Sequence, residues 1–406
     1  MVKKVINSFR GLERDFILFL EAGIFLGIGQ SVDGSTLTNF YKEKFHFEIL
    51  QRSVLEIPRE MPGFLVFLIV GFLYSLGDVR IAALANLFAA IGMFSLGIIP
   101  SNYALMIMFI FVYSAGQHVF MPLSNTIGMS FANDGNLGKK LGQLSAANTI
   151  ALVTSSVVLW LLFKFLNINY TISFTIGAIS FLIASILMFF MNPKQTVKSK
   201  SRFVFRKEYK LFYWMSVLYG IRKQIFITFA PWVLVDVFNQ KVTTMTALFF
   251  LISVISIFFK PFVGYLIDRV GERFVLAGEA GILFFVCLGY AFADNLLPYN
   301  GAVLIICACY VLDLTLNAVG MARATYLKKI AVEEEDVSPT LSMGISIDHI
   351  MSMFIPTIAG LVWYNGGAGG YKYVFLGGAV VALVNFITTS RISINKNAKA
   401  GGELQV

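Results

Sequence analysis

The chain has 406 residues, of which 57% are hydrophobic and 14% charged, too little polar surface to cover two or three domains in water. Its net charge of +9 does not indicate nucleic acid, because the basic residues sit in short connections between apolar runs rather than in a patch with interleaved aromatics. Cys287, Cys307 and Cys309 fall inside apolar runs, so no loop framework of disulfides is expected.

Arg10, Glu13, Arg14 and Asp15 interrupt the N-terminal stretch, and a full-length apolar run follows, so the first helix is expected to be retained rather than cleaved as a signal peptide. Apolar runs and the turn residues between them predict helices near 15–40, 48–76, 79–99, 102–131, 140–166, 169–191, 209–237, 243–267, 273–293, 298–328, 339–364 and 371–391. Roughly 20 apolar residues rising 1.5 Å each cross a hydrocarbon core. The expectation is an all-α integral membrane protein of about twelve transmembrane helices.

With these helices, 22 Lys and Arg lie on the side of the N-terminus and six on the other. The positive-inside rule then puts both termini in the cytoplasm of a multi-pass protein of the inner (plasma) membrane. Residues 192–208 form the longest polar connection, with Lys194, Lys198, Lys200, Arg202, Arg206 and Lys207. This basic linker suits a cytoplasmic face and anionic lipid heads, and it separates a bundle at 1–191 from a bundle with a short tail at 209–406. Two six-helix bundles related by a pseudo-two-fold axis along the membrane normal are the architecture of transporters that rock about a midplane site. A monomer is expected.

The connection after the eighth helix reads Gly264-Tyr-Leu-Ile-Asp268-Arg269-Val-Gly271-Glu272-Arg273. It resembles the G-x-x-x-D-R-x-G-R-R cytoplasmic loop of the major facilitator superfamily. A weaker copy, Gly71-Phe-Leu-Tyr-Ser75-Leu-Gly77-Asp78-Val-Arg80, stands at the matching place in the first half, with Ser75 where the motif has Asp. The resemblance implies a secondary transporter working by alternating access. It also implies a conformational gate role for Gly264, Asp268, Arg269, Gly271 and Arg273, and for Gly71, Asp78 and Arg80.

Ionisable groups at mid-depth in a span are costly and mark candidate functional sites. Arg59, Glu60, Arg222, Lys223, Asp313, Asp348 and His349 come out near the middle of their helices, while Glu21, Lys260 and Glu279 sit nearer the cytoplasmic side. Gln30, Asp33, Gln117, His118, Asn148 and Asn317 add polar groups at intermediate depth. Glu56, Arg59 and Glu60 share one helical face and can neutralise one another. Arg222 and Lys223 point about 100° apart, so at least one is expected to pair with Asp313 or Asp348, and Arg222 is preferred for the cavity. Pro58 and Pro62 bracket Arg59 and Glu60, so the second helix is expected to bend there.

Arg59 and Arg222 would place one permanent donor on each side of a central cavity, which suits a small organic anion. The substrate-binding candidates are therefore Arg59, Arg222, Lys223, Gln30, Gln117, His118, Asn148 and Asn317. For proton coupling they are Asp33, Glu60, Asp313, Asp348 and His349. If the many aromatics line the cavity instead, the alternative is a proton-linked exporter of hydrophobic or cationic drug-like compounds. No phosphate loop, H-E-x-x-H or nucleophile elbow is present, so neither an enzyme nor a cofactor is expected. No Cys or second His stands at ligand spacing from His118 or His349, so no metal site is expected.

Overall fold

The computed structural model describes residues 2–99, 102–131, 137–192, 206–333 and 336–392. Its helices are α1 (Val2–Phe45), α2 (Ile49–Val54), α3 (Glu56–Phe72), α4 (Asp78–Ile98), α5 (Tyr103–Ser130), α6 (Leu137–Phe165), α7 (Tyr170–Phe189), α8 (Lys210–Trp232), α9 (Val242–Val270), α10 (Glu272–Leu296), α11 (Tyr299–Leu316), α12 (Gly320–Ile330), α13 (Val337–Asn365) and α14 (Gly370–Ser390). The pairs α2–α3 and α11–α12 each make one crossing, which gives twelve among the described residues. Ten crossings are long and apolar enough to span a membrane on composition alone. The other two are α2–α3, which carries Arg52, Glu56, Arg59 and Glu60, and α8, which carries Arg222 and Lys223.

Two runs read as unbroken in the sequence are divided. Pro58 has no N–H for the carbonyl of Val54, so the first run stops at Leu55 and restarts at Glu56, just before the charges. The run 298–328 is interrupted by a 3₁₀ turn at Asn317–Val319, followed by Gly320, a weak helix former. At the end of α8, Pro231 withdraws another donor, and the helix widens into a π turn at Val233–Val237.

Packing repeats between the halves. In the first, α1 lies against α6 and α7, and α4 against α5 and α7; in the second, α8 lies against α13 and α14, and α10 against α11 and α14. The cross-contacts repeat too: α6 meets α9, and α13 meets α3, as a two-fold relation between bundles requires. Small residues bring the helices close, since a Cβ on Gly116 would strike the backbone of Ala85 and Ala89, and one on Gly92 the backbone of Tyr113.

The halves are joined at the end of the bundle away from the start of α1, here the far end. Lys42 pairs with Asp236 and Asn39 donates to the Gln240 carbonyl at 3.0 Å. On the same side, Gly360 lies against Ser53 and Gly34 against Phe249. The pairs Asn39–Gln240, Lys42–Asp236 and Glu60–His349, which join the halves, lie from mid-depth to this far end. Toward the near end, positions Gly142 and Gly264 have open space where a Cβ would stand. Of the linker 192–208, only Asn192 and 206–208 belong to the described residues.

Candidate functional site

The interrupted second crossing holds a ladder of alternating charge. Arg52 pairs with Glu56, Arg59 reaches Glu56 Oε2 at 2.6 Å, and Arg59 also reaches Glu60 Oε1 at 2.9 Å. Glu56 and Glu60 are buried, and Arg59 keeps 26% of its side chain exposed. One helical face thus neutralises its own charges, which is what makes them tolerable at this depth.

Across the interface, the two neighbouring cations of α8 part company. Arg222, 5% exposed, is drawn into its own half by Asp313 Oδ1 at 2.8 Å, Asn317 Oδ1 at 3.1 Å and Glu279 at 3.4 Å. The break after α11 presents the Asn317 side chain to this arginine. Lys223 points the other way and meets Asp348 at 2.8 Å, with both side chains partly exposed at 17% and 15%. The sequence reading preferred Arg222 for the cavity, but Arg222 is the more buried of the two cations, turned toward the acids of its own half.

A residue that sequence reasoning did not single out is also here. Arg323, on α12, lays its guanidinium 3.3 Å from the centroid of the Tyr219 ring, beside a cavity of about 90 Å³ lined by Phe212, Ser216, Gly344 and Asp348. Among the described residues it has no carboxylate within 4 Å. Its position, late in a helix that the sequence reading ran to residue 328, was the available signal. A larger cavity of about 500 Å³ sits at the far end between Lys44, His46, Gln51 and Tyr103, away from the buried charges.

Three groups read separately along the chain converge. His349 Nδ1 lies 3.0 Å and His118 Nε2 3.7 Å from Glu60 Oε2, and the two rings are 5.0 Å apart. Their donor atoms all fall within 4.8 Å of one another, so they form a set able to hold a metal ion. Spacing along the chain hides it, because the members come from α3, α5 and α13. Gln30 and Asn148 share a 3.3 Å hydrogen bond, and Asn148 also ties to the Gly23 carbonyl at 3.0 Å. Gln117 is partly buried beside His118, with its amide nitrogen unpartnered. Among the described residues Asp33 makes no ion pair within 4 Å, and its electrostatic neighbours are Arg59 and Tyr113.

The two motif loops turn alike. Gly77 and Gly271 have φ of 77° and 85°, a backbone few side chains accept, and each precedes an acid at the first position of the next helix. Asp78 is buried, and its counterpart Glu272 pairs with Lys329 at 2.7 Å. Asp268, Arg269 and Arg273 are exposed, with Arg269 bonded to the Tyr265 hydroxyl at 2.7 Å. Arg80 donates to the Phe189 carbonyl, and Gly71 lies in α3.

A family model described as the Major Facilitator Superfamily matches residues 24–333. No curated protein matches the sequence. Among solved structures, a mutant of the nucleoside transporter NupG is similar with TM-score 0.74 and 15% identity, covering 92% of this chain and 98% of its own. A bacterial homolog of the human lysosomal transporter Spinster, inward-facing and unoccupied, gives TM-score 0.67 at 14% identity, covering 95% and 99%. A D-xylose–proton symporter gives 0.67 at 13%, again covering 95% and 99%. At these identities the likeness is one of fold.

Proposed function

Because this chain belongs to the Major Facilitator Superfamily and is a multi-pass membrane transporter, we propose that it carries a small polar solute with an anionic group by alternating access. The observation that supports an anion is Arg323. Its guanidinium is stacked on Tyr219 beside Ser216 and has no carboxylate within 4 Å among the described residues, so its donors are available to a solute. Arg59 and Arg222 each meet two carboxylates already, and their role is to hold their helices. Asp348, the partner of Lys223, borders the same space.

The charge asymmetry of 22 against six supports cytoplasmic termini, and the closed far end then supports a conformer open to the cytoplasm. Coupling to protons is assigned to Arg222, Asp313 and Glu279. Arg222 faces two carboxylates in an apolar interior, with Arg323 a further electrostatic neighbour of Glu279, so a proton taken up by either acid changes the charge balance of the cluster.

Phe212, Leu341 and Ile345 line the same cavity, which is the observation favouring the alternative cargo, a lipophilic cation. A thermal-shift screen of the purified protein separates the two. Carboxylates and sugar phosphates are expected to raise its melting temperature; stabilisation by lipophilic cations alone sinks the anion reading.

A further inference from the structure

Glu60, His118 and His349 meet at mid-depth, with two members from the first half and one from the second. The meeting is built into the packing. Gly63 follows Glu60 on the same face of α3, and a Cβ there would come within 2.6 Å of His118 Cδ2 and 2.5 Å of His349 Cε1. The bare backbone at this position is what lets both imidazoles lie against the helix.

The hydrogen bonds around His118 determine which nitrogen carries its proton. Nδ1 lies 2.9 Å from the Ser114 carbonyl, which can only accept. It is also 2.9 Å from Ser114 Oγ, whose own hydrogen goes to the Arg59 carbonyl. Nδ1 therefore holds the hydrogen, and the neutral ring turns the bare lone pair of Nε2 toward Glu60 Oε2. In that neutral form an acceptor faces an acceptor at a buried point, and Glu60 Oε1 is already taken by Arg59. This is the arrangement in which a metal-binding histidine is held by a carbonyl behind it.

We propose that His118 Nε2, His349 Nδ1 and Glu60 Oε2 bind one divalent first-row cation of the Zn²⁺ or Co²⁺ kind. The separations of 3.0 and 3.7 Å bracket the roughly 3.4 Å expected between two ligands each about 2.0–2.1 Å from a tetrahedral centre. Two imidazoles and a carboxylate suit these ions better than Ca²⁺ or Mg²⁺, which take oxygen. His349 ligates as the tautomer with its hydrogen on Nε2. Arg59 and Lys223 stand close by, and their repulsion of a cation is offset by Glu56 and Asp348.

Three protein donors leave one coordination position for water or a solute atom. Because His349 belongs to the opposite half, the set exists only while α13 and α3 are together. A bound ion therefore stabilises this conformer and must leave before the halves part at the far end. The site stands independently of the anion reading, so either can fail alone.

The test is a Co²⁺ titration of the purified full-length protein at neutral pH, read by visible absorption and by competition with Zn²⁺. One equivalent is expected to bind with a low-symmetry d–d spectrum, and Zn²⁺ to displace it and raise the melting temperature. His118→Gln and His349→Gln should each weaken binding at least tenfold, while His46→Gln, at the exposed His46, retains it. Absence of Co²⁺ and Zn²⁺ uptake by the unaltered protein overturns the proposal. So does full uptake by the folded double variant lacking His118 and His349.

Discussion

Asn39, near the end of α1, donates its side-chain amide at 3.0 Å to the carbonyl of Gln240, 201 residues further along and in the other half. One turn on, Lys42 pairs with Asp236, and Ser53 lies fully buried beneath Gly360. These contacts latch the far end. Combining Asn39→Ala with Lys42→Ala is expected to shift the population toward a conformer parted there. A cysteine replacing Ser53, in a background without native cysteines, should then react several-fold faster with a membrane-impermeant maleimide. An unchanged labelling rate would mean that the contacts do not hold the closed side.

Arg59 offsets both Glu56 and Glu60, so Arg59→Ala leaves a buried carboxylate uncompensated. The expected loss is about 3–5 kcal/mol, seen as a lower melting temperature in detergent. Adding Glu60→Gln should recover most of it, because Glu56 keeps Arg52. If the double variant is no more stable than the single one, the charge ladder is not what holds this crossing.

Arg323→Gln is expected to lower affinity for a stabilising carboxylate or phosphate at least tenfold, and Arg323→Lys to restore part of it, since lysine keeps the charge but loses the planar stack on Tyr219. Equal affinity in all three proteins, measured by titration calorimetry, would remove Arg323 from the binding site.

Replacing Glu279 removes one of the two carboxylates that face Arg222, and with it one place in the cluster for a proton. Glu279→Gln should therefore abolish the response of transport to an imposed pH gradient in vesicles while preserving exchange of solute at equal pH. A variant that still follows the gradient places coupling elsewhere, with Asp33 the next group to change.

The first bundle depends on the close approach of α4 and α5 at Gly116. Gly116→Leu puts bulk where a Cβ already meets Ala85 and Ala89, and is expected to cost about 1–3 kcal/mol or to prevent folding. Substitution at Gly142, which faces open space, should leave the melting temperature within a degree or two.

Much of the fold can be read along the chain because each crossing must be apolar over its own length, and that property is local. Twelve crossings and the two glycine turns follow from runs and spacing. The breaks at Leu55 and Asn317 were less legible, since an apolar run does not say whether its backbone is continuous. Pro58 was a sign of the first, and only Gly320 hinted at the second.

The charged residues divide along the same line. That Arg59, Glu60, Arg222, Lys223, Asp313 and Asp348 lie at depth follows from counting residues at 1.5 Å each, and the 100° step of a helix separates Arg222 from Lys223. Which partner each would find does not follow, because ion pairs at a few ångströms depend on how helices far apart in the chain rotate and tilt against one another. Only the assembled bundle turned Arg222 inward to Asp313, left Arg323 on Tyr219, and brought His118 and His349 to Glu60 from opposite halves.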